Sequence, residues 1–91
     1  MRLVKTHIFN GRRYGINIEP LDGLCEQYKI NPDDRNIYVF AEPYTKNELI
    51  TLIHECMHAE DWTMSEEKVE RISTEIGTLA WRLGYRRNPP L

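Results

Sequence analysis

The run His54-Glu55-Cys56-Met57-His58 constrains this chain more than any other feature, because H-E-x-x-H carries chemical meaning only on a helix. One helical turn brings both imidazoles onto a common face, where they can hold one metal ion with Glu55 beside it. The surrounding residues predict that helix. Thr45-Lys46-Asn47-Glu48 fits a capping box, with Thr45 as N-cap and Glu48 reaching back from the third helical position. Leu49, Ile50, Leu52, Ile53, Cys56 and Met57 then form one apolar face. His54 and His58 fall at its margin, where ligands belong if a cleft opens beside a supported helix.

A second start signal follows at once. Ser65 can cap a helix whose first turn holds Glu66 and Glu67, acidic residues that complement the helix dipole. Val69, Ile72, Ile76, Leu79, Ala80 and Leu83 predict its buried stripe, and Gly84 its stop. The short link between Ala59 and Met64 makes the two helices an antiparallel hairpin.

The N-terminal half reads as strands. Leu3 to Phe9 alternates, Asn10-Gly11 is a hairpin turn, and Tyr14 to Ile18 is the partner strand. Turns at Leu21-Asp22-Gly23 and Asn31-Pro32-Asp33-Asp34 flank a short strand at Leu24 and Cys25. Asn36 to Ala41, β-branched and aromatic, is the best strand of the chain. The expected fold class is α+β, a small antiparallel or mixed β-sheet packed on the helical hairpin. A single domain over residues 1–87 is strand-rich in 1–44 and helical in 45–84. Residues 88–91 form a flexible tail, with fraying expected from Arg86 onward.

Composition narrows the setting. Ninety-one residues make one domain, and 41% hydrophobic with 29% charged residues is ordinary for a globular protein. A net charge of −2 gives no general argument for nucleic-acid or membrane binding. No apolar run approaches a transmembrane length, and Met1-Arg2-Leu3-Val4-Lys5 lacks a signal-peptide core. Cys25 and Cys56 make no disulfide framework, and Cys56 reads as a small buried thiol, so the expected location is a reducing cytoplasm. The basic, aromatic tail (Trp81, Arg82, Tyr85, Arg86, Arg87) raises a nucleic-acid adaptor as a reading. The same residues fit a helix C-terminus that complements its dipole, so nucleic acid is not the expected partner.

Two imidazoles and a carboxylate suit zinc best, one Zn2+ per chain, and a catalytic zinc takes three protein ligands and leaves a position for water. The third ligand must come from outside the motif. Asp61 lies three residues past His58, but ligands at i, i+4 and i+7 are too spread to converge from one straight helix. Asp61 is then expected to accept an imidazole N–H and orient the ring, ligating only if the helix breaks first. The second helix offers Glu66 at the edge of its apolar stripe, with Glu70 one turn on as alternative ligand or ring partner. Glu67 points away and reads as solvated, and His7 in a strand reads as structural. Glu55 is the expected general base toward a zinc-bound water. Tyr44, Tyr85 and Arg82 are the available donors for an oxyanion, and the sequence does not choose among them.

These residues resemble the zincin class of metallopeptidases. The stretch Leu49 to Ala59 looks like that class's active-site helix, and a glutamate from a following helix is similar to the gluzincin arrangement. Glu66-x-x-x-Glu70 resembles the gluzincin pairing of a ligand glutamate with an acidic residue one turn later. The metzincin continuation H-x-x-G-x-x-H is absent, with Asp61 and Met64 at its positions. Small phage and prophage proteins and ImmA/IrrE-type peptidases are similar over residues 45–87. The resemblance implies His54, His58 and Glu66 as zinc ligands and Glu55 as general base. It also implies a sheet strand, Asn36 to Ala41, that pairs with extended substrate. The function implied is a small zinc metallopeptidase acting on a peptide or protein in the host cytoplasm. The alternative is a catalytically silent, zinc-stabilised phage binding or regulatory module. A homodimer or a phage protein partner would complete the cleft.

Overall fold

Asn10 and Gly11 both adopt positive φ, 49° and 73°, as a two-residue type I′ turn requires, and the chain reverses there. The computed structural model describes residues 4–19 and 35–87. In it, this turn joins β1 (Thr6–Phe9) to β2 (Arg12–Glu19) antiparallel, with Phe9 opposite Arg12 and Thr6 opposite Gly15. A third strand, β3 (Asn36–Phe40), pairs with β2 in parallel, Gly15 opposite Asn36 and Glu19 opposite Phe40. The described sheet is therefore mixed, in the order β1-β2-β3. Leu3, where the first strand is expected to start, lies outside the described residues, and the described strand begins at Thr6. The turns expected at 21–23 and 31–34, the strand at Leu24 and Cys25, and the tail 88–91 lie outside the described residues.

Period-two alternation decides which sheet face is covered. Tyr14, Ile16 and Ile18 of β2 share a face with Ile37 and Val39 of β3, and Ala59, Leu52 and Cys56 pack on that face. These last three belong to α1 (Lys46–Glu60), so the motif helix lies across the sheet with its apolar stripe inward. The Tyr14 hydroxyl donates to the Ala59 carbonyl at 3.3 Å, filling one of the acceptors that a helix C-terminus leaves open. That bond holds the last turn of α1 at Ala59, one residue beyond His58.

The second helix, α2 (Glu66–Arg82), packs back along α1 as an antiparallel hairpin. The observed fold is α+β, a three-stranded mixed sheet on two helices. Its buried stripe differs from the expected one. Val69, Ser73 and Gly77 face α1, whereas Ile76, Leu79 and Leu83 are 50%, 56% and 66% exposed. The reason is a close helix approach at Gly77, where an added Cβ would sit 3.2 Å from the Ile50 Cα. Small residues make that contact, so apolarity does not mark it.

The capping of α1 also differs in one part. Thr45 Oγ1 accepts the Glu48 N–H at 3.2 Å, as expected of an N-cap. The Glu48 carboxylate does not reach back. Only 5% exposed, it accepts two bonds from Arg87, from Nε at 3.0 Å and Nη2 at 2.7 Å. The Arg87 guanidinium lies over the Tyr44 ring at 4.5 Å, and Arg86 lies over Trp81 at 3.7 Å. The segment after α2 is thus docked through Arg87. Gly84 (φ 93°) makes the turn into it, with Gly84 N–H bonded to the Trp81 carbonyl and Tyr85 N–H to that of Ala80. No helix among the described residues is long and apolar enough to cross a membrane.

Candidate metal centre

A five-residue link, Asp61 to Ser65, sets the geometry of the site. Asp61 N–H caps the Met57 carbonyl, and the Asp61 carboxylate accepts from Thr63 N–H at 3.0 Å and Thr63 Oγ1 at 2.6 Å. Those two bonds hold the Asp61 carboxyl below its ordinary range. Asp61 therefore organises the turn and does not orient an imidazole, contrary to the expectation from its spacing. Ser65 then caps α2, its hydroxyl accepting the Lys68 N–H at 3.2 Å. The tight link delivers the first turn of α2 directly beside His58.

Glu66 consequently meets both histidines. Its Oε1 lies 2.7 Å from His54 Nε2 and its Oε2 3.0 Å from His58 Nε2. One ligand atom from each of His54, His58 and Glu66 can be chosen so that all lie within 4.8 Å of one another. The two imidazole rings stand edge to face with centroids 4.9 Å apart, as residues one turn apart on α1 should. The hydrogen bonds from His58 and then from His54 hold the Glu66 carboxyl below its ordinary value. Of the acidic candidates on α2, Glu66 is the one that converges with both rings.

Glu70, one turn further along α2, has its Oε2 3.3 Å from His54 Nδ1. His54 thus has a carboxylate oxygen within bonding distance of each ring nitrogen. A neutral imidazole carries one N–H and cannot donate in both directions. A doubly protonated ring satisfies both contacts, and so does a neutral ring that gives Nδ1–H to Glu70 and Nε2 to a divalent ion, so the donor set fits a metal. Glu67 is exposed, and His7 is exposed on β1 with its ring 5.0 Å from that of Phe9, so neither joins the group.

The ligand atoms face an open cleft of about 450 Å³ lined by His54, Glu55, His58, Trp62, Met64 and Glu66. Glu55 is half-buried, and burial pushes its carboxyl above the ordinary range against the opposing pull of His54 and then His58. The Cys56 thiol, also in the motif, turns to the core, where burial raises it to about 11 and keeps it a neutral, poor ligand. A smaller crevice of about 30 Å³ between α1 and β3 shares Glu55, His58 and Trp62 with the main cleft.

The three residues considered as oxyanion donors do not line the cleft. Tyr44 packs under Arg87, Tyr85 lines an apolar pocket with Leu49 and Leu52, and Arg82 ends α2 at the far end of the hairpin. Trp62 and Met64 line it instead, and sequence reasoning passed over both. The signal was the 55% exposed Trp62 inside a link too short to bury it, next to His58. No family model, curated protein or solved structure matches the chain.

Proposed function

We propose that this protein is a minimal zinc-dependent, zincin-like peptidase of the phage type, with His54, His58 and Glu66 holding the ion and Glu55 as general base. The observation that carries the proposal is convergence: ligand atoms of the three residues within 4.8 Å, with Glu55 lining the same cleft. Dimensions support zinc. A tetrahedral ion with bonds of about 2.0–2.1 Å sets its ligand atoms about 3.3 Å apart. The Glu66 carboxylate lies 2.7 and 3.0 Å from the two imidazole nitrogens, within a few tenths of an ångström of that spacing.

A bound zinc supplies Lewis acidity, easing loss of a proton from water and polarising a peptide carbonyl. The chain's own residues do the rest. Glu55, which lines the cleft beside both histidines, takes the proton and passes it to the departing amine. Glu70 holds His54 through Nδ1 and fixes its ring plane. Trp62 and Met64 give the cleft apolar walls against which a peptide side chain can rest.

The first measurement is native mass spectrometry of the wild type and His54→Ala. One zinc per wild-type chain, absent from the variant, is expected, and a wild type that takes no zinc at neutral pH would refute the site. Peptide-hydrolysis assays of Glu55→Gln then test the chemistry, with zinc retained and turnover lost as the expected result. A second reading has its own support, because the ligands come from both α1 and α2 and an ion there crosslinks the hairpin without any turnover. Zinc binding with no hydrolysis by the wild type on a diverse peptide library would favour that silent, zinc-stabilised module.

A further inference from the structure

The face of α2 turned away from the metal group carries Ile72, Ile76, Leu79 and Leu83, with the last three half to two-thirds exposed. Their spacing of four, three and four residues is the alternation of a heptad seam, maintained for three turns. A helix that buries one stripe in its own domain has no use for a second, and such a seam marks a contact with another helix. We propose that two copies of this chain pair through this seam, α2 against α2 in antiparallel orientation.

Charge fixes the orientation and the occupant. In antiparallel pairing centred between Gly77 and Thr78, Ile76 of each copy meets Leu79 of the other, and Ile72 meets Leu83. That single register also sets Glu75 of each copy beside Arg82 of the other, so two opposite-charge contacts form by symmetry along one flank. Both residues are exposed, and Glu75 already pairs along its own helix with Arg71 at 3.3 Å. The other flank is taken by α1, against which Ser73 is fully buried, so the charged contacts form on the open side alone. A parallel pairing would instead set Glu75 against Ala80 and Arg82 against Arg87, which offers no complementarity. Glu66 and Glu70 project from a different side of α2, so pairing leaves the metal cleft open and does not depend on it. A seam of four residues is a small interface, and the dimer belongs in the micromolar to sub-millimolar range.

Sedimentation velocity of the full chain over that concentration range tests the proposal, with circular dichroism confirming that each variant keeps its helices. The wild type is expected to pass from monomer to dimer, and Leu79→Glu to remain monomeric. Arg82→Glu is expected to weaken association about tenfold by setting like charges together twice, and adding Glu75→Arg to restore it. A wild type that stays monomeric throughout would overturn the proposal. So would a dimer that Leu79→Glu leaves intact, or a charge reversal whose partner reversal fails to rescue it.

Discussion

His54 sits between two carboxylates, and its two contacts make unequal demands on the residues that supply them. Glu66 approaches Nε2, the nitrogen proposed to hold the ion, and Glu70 approaches Nδ1. Replacing Glu70 with alanine is expected to weaken zinc binding about 10–100-fold, the usual effect of removing a ligand's hydrogen-bond partner. Glu66→Ala should cost more, because it removes a proposed ligand and not a ligand's partner. Competition against a chelating indicator measures both, and an unchanged affinity in Glu70→Ala would return Glu70 to the solvent. Tyr14 is a residue of another kind. Its hydroxyl satisfies the Ala59 carbonyl beside the motif, and Tyr14→Phe is expected to lower stability by about 1 kcal/mol in urea titrations while zinc binding persists. At this scale the sequence was legible where chemistry and helical spacing coincide, in the grouping of His54, His58 and Glu66 beside a cleft that Glu55 also lines. Asp61 was not, because its role depends on Thr63 folding back onto it, a contact within the turn that no periodicity encodes.

The elements themselves were legible to the extent that local signals set them. Asn10-Gly11 specified its hairpin, and Thr45 and Ser65 capped the helices they begin. The face that α2 buries was not legible, because it is chosen by how closely two helices approach. Ser73 and Gly77 carry little or no apolar surface, yet they make the contact, while Ile76 and Leu79 stay outside. Gly77→Ala separates the two effects. Helix propensity alone would favour alanine by about 1 kcal/mol. Overpacking against Ile50 costs about 1–3 kcal/mol, so net destabilisation is expected, read as a lower thermal midpoint with unchanged helix content. A stabilised variant would show that the hairpin is looser than this contact. The partner of Glu48 was also hidden, since a residue 39 positions away displaced the capping-box contact that local sequence suggested. Arg87→Ala leaves that buried carboxylate unpaired. With the guanidinium partly open to water, the expected loss is about 1–2 kcal/mol, detectable by urea titration and smaller in the double variant with Glu48→Gln.

At the scale of the molecule, two clasps hold α2 against α1. Glu48 and Arg87 close the end where α1 begins, and the His54, His58 and Glu66 group closes the other. The first is complete within the chain, whereas the second is a cluster of donors that a cation would complete. Because the proposed ligands come from two elements, an ion held by all three would bind the packed hairpin and not the unfolded chain, and its binding free energy would add to folding. At a free zinc concentration one hundred times the dissociation constant, linkage adds about 2.7 kcal/mol. That is a large fraction of the roughly 5–15 kcal/mol that holds a domain together. For a chain of this length each kcal/mol moves the thermal midpoint about 4–8 °C, so saturation should raise it by about 10–20 °C. Melting curves in zinc and in excess chelator measure the difference. Glu66→Ala should abolish most of it, because the link between the helices is lost, while Glu55→Gln should preserve it, because Glu55 is not one of the three residues that converge. If zinc leaves the midpoint of the wild type unmoved, the two helices are held by packing alone, and the histidines and Glu66 are partners only to one another.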